Sequence, residues 1–171
     1  YEAGYFCDYP PAYMLVLWLF GLLGRLLGLG TGSMAFQGWM KLAPIACDLA
    51  LAEVCFAFAK KRLGEGTALG VAALLALNPA FIVTSSCWGQ IDSVLALLLV
   101  LMLLEAQAGK WHIAIPIFAL AVLAKPQAGL LAPLGVAALL KETRLNEKRG
   151  KSVGFGLLGG VAVTLAVVLP F

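Results

Sequence analysis

The chain has 171 residues, of which 62% are hydrophobic and only 12% charged, with a mean hydropathy of +0.96 and a net charge of +3. Soluble domains average about 25% charged residues, so this composition excludes a water-soluble globular domain and predicts an integral membrane protein. The basic residues form short clusters beside apolar runs, which argues against a nucleic-acid partner. The four cysteines lack metal-ligand spacing and there is one histidine, so no metal site is expected.

The N-terminal part predicts an aromatic loop followed by a helix at the membrane surface. Pro10-Pro11 suits a helix start, because proline lacks only a donor that the first turn leaves unpaired. The apolar segment 12–29 carries Arg25 and several glycines, which favours an interfacial or re-entrant helix over a full span. A Gly/Ser-rich loop is expected over 30–40. Residues 1–41 therefore read as an outer loop with an interfacial helix.

Residues 42–171 predict transmembrane helices, which makes the whole chain, 1–171, a single all-α membrane domain. A span needs about 20 apolar residues to cross about 30 Å of hydrocarbon. The apolar runs lie at 42–59, 67–87, 93–108, 113–124, 128–140 and 153–171, and 113–140 fits either two spans or one re-entrant hairpin. Pro79 should bend the helix that contains it.

The chain begins without Met and stops inside an apolar run. We therefore expect it to be a fragment of a longer protein.

The orientation follows from the basic residues, which collect on the cytoplasmic side of membranes. The strongest basic segments are Lys60-Lys61-Arg62 and 141–151, and four apolar runs separate them. An even number of spans returns both segments to the same, cytoplasmic side, and Lys110 falls there too. The segments 88–92 and 125–127 are then predicted to lie together on the non-cytoplasmic side.

Asp92 and Lys125 lie at the outer ends of predicted spans. A charge at membrane depth costs at least about 2.5–3.5 kcal/mol, so such residues tend to be paired or functional. We expect the two side chains to meet across the outer mouth of the bundle. They form either a stabilising pair or a site for a polar substrate, and the sequence leaves both open.

Other polar residues near this cluster also have two interpretations. Trp88 is either an interfacial anchor or a stacking platform for a sugar ring. Gln90 and Gln127 either form structural hydrogen bonds or bind a hydroxyl-rich ligand. Ser93 suits an N-cap of the following helix, and Asp8 either caps a helix or contacts substrate.

Four motifs, in this order, resemble a known family. They are Asp8-Tyr9-Pro10-Pro11-Ala12-Tyr13, Asn78-Pro79-Ala80, Trp88-Gly89-Gln90-Ile91-Asp92-Ser93 and Lys125-Pro126-Gln127. The chain resembles bacterial membrane glycosyltransferases of the GT-C class, especially those related to the GPI-pathway mannosyltransferases. Each motif alone is weak, but the ordered set covers nearly the whole chain.

The resemblance implies a polytopic enzyme of the bacterial plasma membrane. It would transfer a mannose-like hexose, with inversion, from a polyprenyl-phosphate-linked donor to a lipid or glycan acceptor on the non-cytoplasmic side. Membrane lipids surround such a protein, and no cofactor is implied. In that family the main acidic motif lies near the start of the first outer loop, here upstream of Tyr1. Whether this fragment is active by itself stays open.

For that reaction we assign candidate roles to individual residues from their chemistry, since the resemblance by itself does not make Asp8 the base. Asp8 and Asp92 are the candidate catalytic carboxylates, and Lys125 is the candidate contact for the leaving phosphate, with Arg25 and Lys41 as alternatives. The remaining candidate substrate-binding residues are Tyr9, Trp88, Gln90, Ser93 and Gln127. The main competing function is a membrane transporter, because carriers also place proline-broken helices and charges along a substrate pathway.

Overall fold

The chain folds into an all-α helical bundle, as the sequence predicts. The computed structural model describes residues 10–145 and 147–170, and no strand occurs in those ranges. The α-helices are α1 Pro11–Leu26, α2 Met34–Leu63, α3 Glu65–Ala76, α4 Pro79–Ile82, α5 Asp92–Gln107, α6 Trp111–Ala124, α7 Ala132–Leu145 and α8 Glu147–Val168. A π-helix, Val83–Trp88, continues α4, and a 3-10 helix, Pro126–Leu131, links α6 to α7.

Three helical stretches are long and apolar enough to cross a membrane: Met34–Leu63, Glu65–Trp88 and Gly150–Val168. Large apolar side chains also face outward from the bundle, among them Leu49 and Leu74, which are 61% and 76% exposed. Extensive outward-facing apolar surface marks contact with a membrane or a partner. The membrane character predicted from composition is thus supported by the fold.

Helix α1 lies along one end of the bundle. Near its start, the Tyr13 hydroxyl donates to the Gly89 carbonyl at 3.3 Å. Near its end, the Phe20 carbonyl accepts from the Trp39 indole N–H at 2.8 Å. Gly89 packs against Lys41, which follows Trp39 by two residues in α2. Both halves of α1 therefore contact the end where α2 begins, an arrangement that fits the expected interfacial helix.

The predicted loop over 30–40 is shorter in the structure, because α2 already begins at Met34. Ser33 caps the helix: its Oγ accepts a hydrogen bond from the Phe36 N–H at 3.1 Å. An N-cap serine satisfies one of the unpaired donors of the first turn. This local interaction starts the helix inside a segment whose Gly/Ser composition predicts a loop.

The basic segments are also more helical than expected. Lys60, Lys61 and Arg62 occupy the last turn of α2, where the helix dipole favours cations. Gly64, with φ of +85°, alone turns the chain into α3. The predicted loop over 141–151 consists mostly of the end of α7 and the start of α8, because Lys, Glu and Arg are good helix formers.

The basic segments share one end of the bundle. Helices α2 and α5 begin at the opposite end, where the Lys41 ammonium donates to the Cys87 carbonyl at 2.9 Å. The two helices pack together and finish at the basic end. There the His112 N–H donates to Ser152 Oγ at 3.2 Å, which joins the start of α6 to α8. The contacts thus place both basic segments at one end of the bundle, and the side of the membrane that this end faces stays a prediction.

Helices α6 and α8 approach each other closely because small residues line their contact. A Cβ on Gly156 would overlap the Trp111 carbonyl oxygen, and one on Gly160 would lie 3.3 Å from Ile115. Small residues spaced by four let membrane helices pack backbone against backbone. The glycines of α8 therefore set the distance between the two helices.

We expect Gly156→Ala to destabilise the bundle, because the added methyl group overlaps the α6 backbone. Overpacking of this kind costs about 1–3 kcal/mol, measurable as a lower midpoint of thermal unfolding in detergent. Gly154→Ala is the matched control on the same helix, since a Cβ there meets nothing within 4 Å. Equal midpoints for the two variants would contradict the close helix contact.

Candidate functional site

The polar motifs gather where α2 and α5 begin, at the end opposite the basic segments. We call this region the motif face and define it by residues 88–93, Lys125 and Gln127. It combines a carboxylate, an ammonium group, an indole and two amides on otherwise apolar helices.

Asp92 and Lys125 form an ion pair on the motif face, between Lys125 Nζ and Asp92 Oδ1. Asp92 lies in the first turn of α5 and Lys125 directly follows α6. Both positions suit the charges, because helix dipoles favour anions at N-termini and cations at C-termini. The side chains are 43% and 25% exposed, so the pair is reachable from outside.

The backbone at Lys125 explains why α6 ends there. Lys125 is extended, with φ of −153° and ψ of 117°. Pro126 disfavours the helical region for the residue before it, so the Lys-Pro step stops α6 and starts the 3-10 helix. The step therefore fixes the lysine at the helix end that faces Asp92.

Two of the predicted motifs mark the ends of one irregular helical unit. At its start, the Asn78 side chain accepts from the Ala80 N–H at 2.9 Å and Pro79 occupies the first helical position. The unit continues as the π-helix and stops at Gly89, whose φ of +70° suits glycine. Pro79 thus interrupts the span, as predicted. Short π-helical segments occur frequently at functional sites.

Neighbouring helices hold the end of the π-helix in place. The Lys41 ammonium of α2 donates to the Cys87 carbonyl at 2.9 Å, and the Tyr13 hydroxyl of α1 donates to the Gly89 carbonyl at 3.3 Å. The two acceptors are the backbone carbonyls on either side of Trp88. They fix the segment that leads into Asp92.

Asp48 and Ser85 form a second polar contact, deeper in the bundle. Asp48 lies at the middle of the 30-residue helix α2, and its carboxylate contacts the hydroxyl of Ser85, which is 1% exposed. The Ser85 hydroxyl also lies 2.6 Å from the Phe81 carbonyl oxygen. Asp48 Oδ1 is buried and has no hydrogen-bond partner among the described residues.

Sequence reasoning assigned no role to Ser85. The available signal was the polar run Thr84-Ser85-Ser86 inside a long apolar stretch, which places hydroxyl groups at membrane depth. Asp48 contacts this serine from a different helix, α2.

The other predicted residues divide by exposure. Trp88 is 73% exposed, Gln127 is exposed and Gln90 is half-buried, so all three can meet a ligand at the surface. Ser93 is only 1% exposed. Its Oγ has no hydrogen-bond partner within the described part of the chain.

The prediction that Ser93 is the N-cap of α5 is wrong. The cap lies two residues earlier, at Ile91, which makes no side-chain hydrogen bond, and the helix begins at Asp92. The Asp92 carboxylate, next to the first-turn donors, supplies the negative charge that this helix start favours.

The remaining candidates lie elsewhere. Asp8 and Tyr9 fall outside the described residues. Arg25 is exposed near the end of α1, and the Lys41 ammonium is occupied by the Cys87 carbonyl. Among the candidate cations, Lys125 is thus the one that contacts a carboxylate of the motif face.

An apolar cavity of about 240 Å³ opens between α5, α6, α7 and α8. Its lining includes Leu131 and Ala132, at the end of the 3-10 helix that starts with Pro126. It extends along α7 as far as Leu139, beside Trp111. The cavity lies between the second half of α5, the first half of α6 and α7, and no residue of the motif face lines it.

We expect the exchanged pair, Asp92→Lys with Lys125→Asp, to be less stable than the native chain by about 1 kcal/mol, because both charges then oppose the helix dipoles. The exchanged pair should still be more stable than the single variant Asp92→Lys, because that variant places two cations together. Thermal unfolding in detergent measures the order. An exchanged pair no better than the single variant would show that the ion pair is unimportant for folding.

No protein-family model, no curated protein and no solved structure matches this chain.

Proposed function

We propose that the chain is part of a multi-pass membrane glycosyltransferase of the GT-C class, in the bacterial plasma membrane. It would transfer a mannose-like hexose from a polyprenyl-phosphate carrier to a lipid or glycan acceptor on the non-cytoplasmic side. The observation that supports this most is the motif face itself. An exposed indole lies near the Asp92–Lys125 pair, at the end opposite the basic segments.

The pair supplies the two charges that inverting transfer needs. The acceptor oxygen attacks the anomeric carbon, the bond from that carbon to the phosphate oxygen breaks, and the lipid phosphate leaves with an additional negative charge. Lys125 is the proposed stabiliser of that charge, since electrostatic stabilisation is usually the largest catalytic term. A carboxylate accepts the hydroxyl proton, and Asp92 is the one on the motif face.

In the described state the two groups neutralise each other. An incoming phosphate would compete with Asp92 for the Lys125 ammonium and so release the carboxylate for the acceptor hydroxyl. General-base assistance of this kind contributes roughly 10²–10⁴-fold. The resemblance places a further acidic residue upstream of Tyr1, and Asp8 is the other candidate within this chain.

The neighbouring groups suit a sugar and its lipid carrier. The exposed Trp88 ring offers a flat apolar surface for a hexose, and the amides of Gln90 and Gln127 both donate and accept hydrogen bonds. The apolar cavity that begins near Leu131 has no charged lining residue. A section of the carrier's hydrocarbon chain would suit this apolar lining.

A transporter is the second candidate, and one observation favours it. Asp48 lies at the middle of α2 beside an interrupted helix, with one carboxylate oxygen unsatisfied by the described residues. Carriers place polar groups at the bilayer midplane next to broken helices. Substrate flux without covalent transfer would favour this alternative.

In the full-length protein, we expect Asp92→Asn and Lys125→Ala each to lower sugar transfer from a polyprenyl-phosphate donor by at least about 10²-fold. Glu65→Gln, at an exposed ion pair with Lys60, is the control and should retain native transfer. Radiolabelled sugar in the lipid-extracted product is the measurement. Near-native transfer by both site variants, at matched expression, would remove the pair from the mechanism.

The exposed Cys87 tests the orientation. In a chain with Cys7, Cys47 and Cys55 replaced by alanine, a membrane-impermeant maleimide should label Cys87 from outside intact cells. Lys61→Cys, at the basic end, should react only after permeabilisation, because the two positions lie on opposite sides. The reverse pattern would invert the proposed topology.

A further inference from the structure

One side of α2 packs against nothing in the described part of the chain. Its exposed positions recur every three or four residues, the spacing of a single helix face. We call this face the α2 stripe, and it consists of Ala35, Gly38, Leu42, Ala46, Leu49, Glu53, Ala57 and Lys60. Its members are small or apolar side chains, apart from the charged residues Glu53 and Lys60.

Glu53 is the unusual member of the α2 stripe. It precedes Lys60 by seven residues, which is about 10 Å along a helix, so it lies well inside the span from the basic end. It is exposed on the outer side of the bundle. The ion pairs of the described residues join Lys60 to Glu65, Lys110 to Glu105 and Lys125 to Asp92, and none includes Glu53.

Lys41 and Asp48, the other charged residues inside this span, have partners within the bundle. Lys41 binds the Cys87 carbonyl and Asp48 contacts Ser85, so both engage the bundle interior. Glu53 is exposed instead, and in a membrane it would face acyl chains, which offer no hydrogen-bond donor. Ionisable side chains at membrane depth are rare and almost always face a polar or charged partner.

We propose that the α2 stripe binds a transmembrane helix of a partner protein, and that this helix carries a lysine or arginine opposite Glu53. The opposite charge satisfies the carboxylate in a medium of low dielectric constant. Ala46 and Ala57, one on each side of Glu53 along the stripe, allow the partner backbone to approach closely.

The charge also excludes a second copy as the occupant. A symmetric dimer in a membrane has its axis along the membrane normal, so equivalent residues of the α2 stripe meet at the same depth. Glu53 would then face Glu53, and two like charges in hydrocarbon repel strongly. The partner is therefore a different helix with a basic side chain.

The test uses the purified chain in phosphatidylcholine vesicles with synthetic transmembrane peptides of leucine and alanine. One peptide carries a lysine at the depth of Glu53, a second carries leucine there, and a third carries the lysine two turns nearer the opposite end. Energy transfer between labelled chain and peptide measures association. We expect the first peptide to associate on the order of tenfold more tightly than the other two.

Glu53→Gln should lower the association of the first peptide with the chain to that of the leucine peptide. Glu105→Gln is the matched control, because it removes a carboxylate that already pairs with Lys110 at 3.3 Å, and it should change nothing. The peptide series on the native chain keeps the test valid if a variant folds poorly. Equal binding of all three peptides, or loss of self-association of the chain in Glu53→Gln, would overturn the proposal. Neither result depends on sugar transfer.

Discussion

The ion pair between Asp92 and Lys125 determines how the end of the bundle is built. It joins the start of α5 to the end of α6, and each charge also matches the dipole of its own helix. The chain leaves α6 as a 3-10 helix because Pro126 follows the lysine. The π-helix, the Gly89 turn and the first turn of α5 lead into the same pair from the other side. The motifs at 88–93 and 125–127 thus end helices or contribute charges at this end, whereas Asn78 and Pro79 start α4 within the span.

Helix α2 supports that arrangement along its length, because two of its charged residues contact the π-helix. Lys41 holds the backbone before Trp88, and Asp48 holds Ser85 in the π-helix. A π-helix has poorer intrahelical geometry than an α-helix and persists where surrounding contacts favour it. The two contacts from α2 and the Tyr13 hydroxyl supply such support. Glu53 contributes nothing to this interior network, which is why its exposure indicates an external partner.

The helical class and the membrane character followed from composition and apolar runs, and the shared end of the basic segments followed from counting spans. The pairing of Asp92 with Lys125 was also foreseeable, because two charges at membrane depth on one face favour each other. Helix boundaries were harder to predict from the sequence. Ser33 starts α2 inside a loop-like segment, and helix formers extend α7 and α8 through a hydrophilic one. The role of Ser85 depends on the extra residue of the π-helix and on Asp48 from another helix, which no local pattern reveals.

The two interpretations of the Asp92–Lys125 pair, structural bond and substrate site, are compatible in this geometry. A fully buried pair is costly to separate, because each charge would lose its only compensation. This pair is partly exposed, with 43% of Asp92 and 25% of Lys125 accessible, and exposed pairs contribute only about 0–1 kcal/mol. A lipid phosphate brings its own negative charge and can replace the carboxylate at the ammonium group through a charge-assisted hydrogen bond. In the proposed reaction, opening this partly exposed pair would cost less than opening a fully buried one, and the donor phosphate would bring the opening about. A closed pair in the free protein is therefore compatible with a carboxylate that the phosphate releases.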